Sequence, residues 1–234
     1  MIELNKKGKN MKILFIGNSY TYFNDLPKMF DVLCRENGKN ASVYSITVGG
    51  RELHQNLNPA DEKYVELVEY LKDGHPDVLI LQEQSVLPAI NYGLFLQGVQ
   101  GLHDLVKANK TILYATWGRH EGSHVLTDHG WTTDSMTCAL YGSYSQAADE
   151  IGGDVSPVGL CFTEMNHKHP EVELYDPDHS HPSLYGSVLA LICHYYTVFG
   201  ELPRACTIPN VAADIIDAMK DVVSAVWAKE KNHV

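Results

Sequence analysis

The sequence predicts a three-layer α/β/α sandwich built on a five-stranded parallel sheet. Short apolar runs rich in β-branched and aromatic residues alternate with longer segments whose apolar residues recur at helical spacing. The short runs are apolar almost without a gap, the pattern of strands covered on both faces. The chain of 234 residues shows no internal repeat, low-complexity tract or linker, so it is read as one domain with a full core. Residues 12–234 are assigned to that domain and residues 1–11 to a disordered tail, with Met11 an alternative start.

The first strand spans 12–16, Lys-Ile-Leu-Phe-Ile, and stops at Gly17-Asn18-Ser19. Asn24-Asp25-Leu26-Pro27 reads as a helix start with proline near the first helical position. The helix runs over 26–36, with Met29, Phe30, Leu33 and Cys34 on one face, and Asn37-Gly38 ends it. Residues 41–48 form a second strand that stops at Gly49-Gly50. A helix is expected over 61–72 from the spacing of Tyr64, Val65, Val68 and Leu71. Residues 77–81, Asp-Val-Leu-Ile-Leu, form the third strand and lead into Gln82-Glu83-Gln84-Ser85.

Downstream, 92–109 reads as a helix and 111–116 as the fourth strand, which ends in Trp117-Gly118-Arg119-His120. The polar, glycine-containing stretch to Trp131 reads as a long loop. A helix over 135–151 is stopped by Gly152-Gly153. The fifth strand, 155–158, contains Pro157 and is therefore placed at a sheet edge. Residues 167–180 read as loop and 182–199 as a helix ended by Gly200. A last amphipathic helix covers 210–227, with Ile215, Ile216, Met219, Val222, Val223 and Val226 turned inward.

Composition excludes several classes. Eighteen basic residues against 29 acidic ones give a net charge of −11, which argues against nucleic acid or an anionic membrane as the main partner. The five cysteines are odd in number and widely spaced without a CxxC, so they form neither a disulfide framework nor a zinc ribbon. Cys138, Cys161 and Cys193 lie in apolar segments and are expected in the core. No apolar run reaches the ~18–20 residues a membrane helix needs. The run after the N-terminal lysines is also too short for a signal-peptide core of about 7–15 residues. A cytoplasmic protein is the default, and oligomeric state is not legible.

In a parallel sheet, the ends at Gly17-Asn18-Ser19, Gly49-Gly50, Gln82–Gln84 and Trp117–His120 all lie on one edge, where open α/β sheets bind ligands. A hydroxyl, a glycine backbone and an amide side chain therefore converge. Acyl transfer needs a nucleophile and donors for the developing oxyanion. A base is available in Asp178-His179-Ser180-His181-Pro182-Ser183. Asp178 precedes His181 by three residues, a spacing that lets a carboxylate hold the imidazole's other nitrogen. Asp176 and His179 repeat the spacing, and spacing alone does not choose between the pairs.

Gly17-Asn18-Ser19, Gly50 with Leu53, Gln82–Gln84 and Asp178–His181 resemble the four blocks of the SGNH (GDSL-like) hydrolase superfamily, over residues 12 to about 203. The resemblance implies the flavodoxin-like α/β/α fold of that superfamily and a serine esterase using Ser19, His181 and Asp178. The run His181-Pro182-Ser183-x-x-Gly186 is similar to the last block and selects His181 with Asp178. The implied oxyanion donors are Ser19 N–H, Gly50 N–H and an amide from Gln82 or Gln84, with Gln82 slightly preferred. The third block departs from the usual Gly-x-Asn-Asp, and Asn18 replaces the more usual Asp of the first. Asn18, Trp117, Arg119 and His120 are further candidates for substrate contact. No cofactor is implied. The expected substrate is a small-molecule or carbohydrate ester with a short, acetyl-like acyl group; a lipase or acyl-thioesterase is the alternative.

Two other classes compete. His120-Glu121-Gly122-Ser123-His124 matches H-E-x-x-H, but zinc chemistry requires this pentapeptide on a helix, and its Gly-Ser pair after a strand argues against one. His167, His169, His179 and Asp176 would be a second metal cluster; exposed loop histidines carry that reading weakly. A non-catalytic protein on the same sheet is the remaining alternative.

Overall fold

The computed structural model describes residues 10–231. Its centre is a five-stranded sheet in the order β2-β1-β3-β4-β5, every pair parallel. The chain passes through β1 (Met11–Gly17), α1 (Ser19–Tyr22), α2 (Leu26–Glu36), β2 (Ala41–Thr47), α3 (Glu62–Lys72) and β3 (Val78–Leu81). It continues through α4 (Leu87–Ile90), α5 (Tyr92–Val106), β4 (Lys110–Tyr114), α6 (His124–His129), α7 (Thr133–Ile151) and β5 (Asp154–Ser156). It closes with α8 (Val158–Lys168), α9 (Leu184–Phe199) and α10 (Ala213–Lys231). Residues 1–9 of the expected tail lie outside the described residues, and Met11, its last residue, opens β1. No helix among the described residues is long and apolar enough to cross a membrane.

Strand alternation builds the three layers. Ile13, Phe15, Val78, Ile80, Ile112 and Tyr114 face one way, into a core closed by α2, α8, α9 and α10. Leu14, Ile16, Leu79, Leu81 and Leu113 face the other way, against α5, α7 and Leu67 of α3. Successive side chains of a strand point to opposite faces, so an unbroken apolar run feeds both cores. Each such side chain contributes about 1.5–3 kcal/mol on full burial. Val86, Leu126, Met136 and Leu140 form a smaller, separate apolar cluster.

Several expectations are corrected. Pro157 lies outside β5 as the residue capping α8, and Val158 is already helical. Helix α8 is not among the elements expected from the sequence, although Val158, Cys161, Phe162 and Met165 recur at i, i+3, i+4 and i+7 and are all buried. Its second residue is Gly159, a poor helix former, because a Cβ there would collide with Thr116 O. The expected loop before Trp131 contains α6. Cys138 is exposed: the buried side of α7 holds Met136, Leu140, Tyr144 and Ala147, and Cys138 falls on its opposite side. In α3 only Leu67 is buried, and Val65 is 59% exposed.

The register places all strand ends on one level. Gly17 pairs with Thr47, Ile16 with Leu81, Leu81 with Leu113 and Tyr114 with Ser156. The loop after β2 is held there by a 3₁₀ turn, Leu53–Leu57, which packs on α5 through Gly98. A Cβ on Gly98 would lie 2.7 Å from His54 N and 2.8 Å from the Leu53 Cβ. Gly98→Ala is therefore expected to destabilise the protein by about 1–3 kcal/mol, the range for overpacking, measured as a lower urea midpoint. An unchanged midpoint would mean that the turn moves freely away from α5.

Candidate active site

Ser19 is placed by what its neighbours do. At the end of β1, Gln82 Oε1 accepts from Asn18 N–H at 2.8 Å and from Thr21 Oγ1 at 2.8 Å. That approach needs a glycine at 17, where a Cβ would sit 2.7 Å from Gln82 Oε1 and collide with Thr21 Oγ1. The Asn18 side chain caps α1 by accepting from Tyr20 N–H at 3.2 Å and donates from Nδ2 to Arg51 O at 3.0 Å. Ser19 is thus the first residue of a short helix opening straight from the strand, where a sequence reading begins the helix only after Asn24. A first helical residue has no intrahelical partner for its N–H.

The base comes from residues 174–183, a loop closed on itself by an antiparallel bridge between Tyr175 and Pro182 and by Asp176 N–H donating to His181 O at 2.8 Å. Inside it, Asp178 Oδ1 accepts from the N–H groups of Ser180 (3.0 Å) and His181 (2.9 Å). Asp178 Oδ2 bonds His181 Nδ1, and His181 Nε2 lies 2.7 Å from Ser19 Oγ. The structure therefore brings Ser19, His181 and Asp178 into one line. It does not do so for the alternative pair: His179 aims its ring at His120, Nδ1 to Nδ1 at 3.1 Å. Burial pushes the Asp178 carboxyl up, but hydrogen bonds from the His181 ring, from two backbone N–H groups and the nearby imidazole outweigh it and hold the carboxyl below its usual range.

Aromatic side chains hold the imidazole. The Phe23 ring stacks on His181 at 4.2 Å and 11°, and Tyr20 meets it edge-on at 5.5 Å. Tyr20, Trp117 and Phe162 form a continuous stack, with centroids 4.7 and 4.1 Å apart. Its polar ends grip Ser180: Tyr20 Oη lies 2.9 Å from Ser180 Oγ, and Trp117 Nε1 donates to Ser180 O at 3.1 Å. Trp117 has no exposed surface, so the expectation that it contacts substrate is corrected: it supports the histidine loop from behind. The sequence alone does not single out Tyr20, Phe23 and Ser180; Tyr20 lies next to Ser19, and Ser180 next to His181, and that adjacency is the available signal.

Around Ser19 and His181 opens a cleft of about 310 Å³, whose lining includes Asn18, Gly50, Gln84, Ser85, Arg119 and Asp178. Gly50 has a φ of +69°, which favours glycine. Of the two glutamines, Gln82 is buried, with its oxygen taken by Asn18 and Thr21 and its Nε2 by Glu83 O. The preference for Gln82 as a donor in the cleft is corrected accordingly. Gln84 Oε1 accepts from Val86 N–H at 2.9 Å and Leu87 N–H at 3.1 Å, which turns its amide nitrogen away from α4. Arg119 lines the cleft, whereas His120 borders a neighbouring one of about 380 Å³ with Asp134 and His167.

Between the two glutamines lies Glu83, fully buried. Its Oε1 accepts from Leu53 N–H at 3.0 Å and from Gln84 N–H at 2.6 Å, so one carboxyl ties the Gly50 loop to the Gln84 loop. Burial pushes this carboxyl up to about 8, against those two hydrogen bonds and with help from the negative Glu52.

The remaining histidines diverge. His120 lies in loop and His124 begins α6, with Gly122 at φ +91° between them, so the pentapeptide is not on one helix. His167 pairs with Asp134 at 3.1 Å and His169 with Glu171 at 3.4 Å. Among the described residues no group of three His, Cys, Asp or Glu side chains is arranged to hold a metal ion.

Solved structures share this architecture. A protein described as a candidate SGNH hydrolase from Slackia heliotrinireducens is 27% identical, aligned over 81% of this chain and 100% of its own, with a TM-score of 0.69. A DUF4886 family protein from Bacteroides uniformis aligns over 94% of this chain and 95% of its own at 13% identity and a TM-score of 0.78. An acetyl xylan esterase aligns over 81% of this chain and 100% of its own at 17% identity and a TM-score of 0.62. The last two likenesses are of fold. No family model matches the chain, and no curated protein matches it in sequence. The protein has the fold of the SGNH (GDSL-like) hydrolase superfamily, and the Slackia heliotrinireducens structure, at 27% identity, supports a place in that superfamily.

Two outcomes are expected. Glu83→Gln flattens the pH dependence of stability. An unfolded Glu titrates near ~4.3 and the folded one at about 8, so over that window the native state holds a proton that the unfolded chain releases. Wild-type stability therefore falls as pH rises through the window, and the Tm of the variant gains on wild type from acid to pH 8; parallel curves would refute the buried-acid assignment. Gln82→Ala orphans Asn18 N–H and Thr21 Oγ1, a loss of about 1–3 kcal/mol readable by chemical denaturation.

Proposed function

We propose that the protein is a serine esterase that removes a short acyl group, acetyl in size, from a small-molecule or carbohydrate ester. The observation that carries this reading is the alignment of Ser19 Oγ, His181 and Asp178 at the carboxyl edge of the sheet, with Ser19 Oγ 2.7 Å from Nε2. In the proposed reaction Ser19 Oγ attacks the ester carbonyl while His181 Nε2 takes its proton. His181 then gives that proton to the departing alkoxide, leaving an acyl-serine. A water loses its proton to His181 and attacks the acyl-serine, which restores Ser19 and releases the acid. Asp178 keeps the imidazole in the tautomer that leaves Nε2 free to accept, and stabilises the imidazolium.

Ser19 N–H, Gly50 N–H and the Gln84 amide are the proposed oxyanion donors. All three residues line the cleft, and each such donor is typically worth about 10²–10³ in rate. The short-acyl preference is supported by the small volume of the cleft, about 310 Å³, and by a described lining in which Tyr20 is the one large apolar ring and no aliphatic side chain takes part. A lipid chain would need a continuous apolar wall, so a lipase is the less supported reading. The acetyl xylan esterase among the structural neighbours is consistent with acetyl transfer from a carbohydrate.

The test is hydrolysis of 4-nitrophenyl acetate, with labelling by a fluorophosphonate. Ser19→Ala and His181→Ala are expected to lose about 10³-fold or more in kcat, and Asp178→Asn about 10²-fold or more. Gln84→Ala should fall about 10²-fold while remaining folded. Wild type should take up the fluorophosphonate and Ser19→Ala should not. An active Ser19→Ala variant would overturn the assignment, and a wild type inert to both reagents would favour a non-catalytic protein on this fold.

A further inference from the structure

The cleft around Ser19 holds a cation, Arg119, that has no counter-ion among the described residues. The backbone of Arg119 is anchored, its N–H donating to Met136 Sδ at 3.4 Å and its carbonyl accepting from Thr133 Oγ1 at 2.8 Å. The guanidinium lies 5.8 Å over the Tyr20 ring, and Nη2 donates to the neutral Ser85 Oγ at 2.7 Å. Nε is buried and has no acceptor. Among the described residues no carboxylate pairs with Arg119. The other charged group of the cleft, Asp178, is committed to His181 and to backbone donors.

A guanidinium half-withdrawn from water has lost solvation that one hydroxyl and one aromatic ring restore only in part. It keeps unused donors in a plane that matches a carboxylate. The chain as a whole is acidic, at −11, so its overall field repels anions. An unpaired cation in the one cleft that holds Ser19 and His181 is therefore a local feature, set against that field.

We propose that Arg119 binds a carboxylate carried by the substrate, so that the preferred substrates are short-chain esters bearing an anionic group; this rests on the esterase reading above. The carboxylate could belong to the acyl part, as in a dicarboxylic half-ester, or to the alcohol, as in an acylated sugar acid. The chemistry that Arg119 recognises is the same in both.

The experiment compares kcat/KM for two matched pairs. One pair is 4-nitrophenyl acetate and 4-nitrophenyl hemisuccinate, with the charge on the acyl side. The other is phenyl acetate and 4-acetoxybenzoate, with the charge on the alcohol side. Wild type is expected to prefer the charged member of one pair by about 10-fold or more, the typical worth of a charge-assisted hydrogen bond. The favoured pair identifies the side that carries the carboxylate. Arg119→Met should collapse that ratio towards one, and Arg119→Lys should retain part of it, with far-ultraviolet circular dichroism reporting whether each variant is folded.

Ser19-dependent hydrolysis with no charge preference in either pair would overturn the inference and leave the esterase reading standing. An equal loss on all four esters in Arg119→Met would also overturn it, because Arg119 would then act on the ester carbonyl or the fold. If wild type neither turns over any of the four nor takes up a fluorophosphonate, the esterase reading fails and this inference fails with it.

Discussion

One side-chain oxygen ties the cleft to the sheet. Gln82 Oε1, at the end of β3, accepts from the backbone of Asn18 and the hydroxyl of Thr21 at the end of β1. The two strands are neighbours in register, so the bond spans a short, rigid distance. It is made at close range only because residue 17 lacks a Cβ. The chain turns into α1 at that point, and Ser19 is its first residue. The nucleophile's position is thus inherited from the sheet rather than from a flexible loop, which is the preorganisation that catalysis by orientation needs.

The base is positioned by a different material. Residues 174–183 contain no long element, yet the loop is closed by its own backbone bonds and leans on the stack of Tyr20, Trp117 and Phe162. Stacked rings give a flat, incompressible wall, and the buried polar tips of Tyr20 and Trp117 each need a hydrogen-bond partner. Ser180 satisfies both. The same contacts that stabilise the core therefore set the height of the imidazole above Ser19, across 162 residues of sequence.

Burial and charge are traded unevenly across the cleft. Glu83 sits in full burial, its carboxyl pushed up to about 8, while its two backbone donors lock the Gly50 and Gln84 loops together. Asp178 is partly exposed and held below its usual range by its own loop. Arg119 has neither a neutralising partner among the described residues nor full solvent. A rigid frame can carry such local costs because its apolar layers supply the stability, and sites of this kind are where function is found.

The amino-acid sequence by itself determined the sheet, most of the helices and the residues that converge. Apolar runs such as 13–16 and 78–81 are continuous because both faces are covered, and strand ends in Gly-Asn-Ser and Gln-Glu-Gln announce polar chemistry at one edge. Those are local signals, set by side-chain period and turn chemistry. Tertiary structure alone decided what needed distance and direction. It separated Gln82, spent inside the fold, from Gln84, which lines the cleft. It sent Trp117 into the core and His120 to a neighbouring cleft. It showed α8, whose apolar spacing was offset by an early glycine that packing on Thr116 requires. It left Arg119 without a counter-ion among the described residues. The physical reason is that a residue's type fixes what it can bond, whereas which partner lies within 3 Å depends on strands and loops brought together from distant parts of the chain.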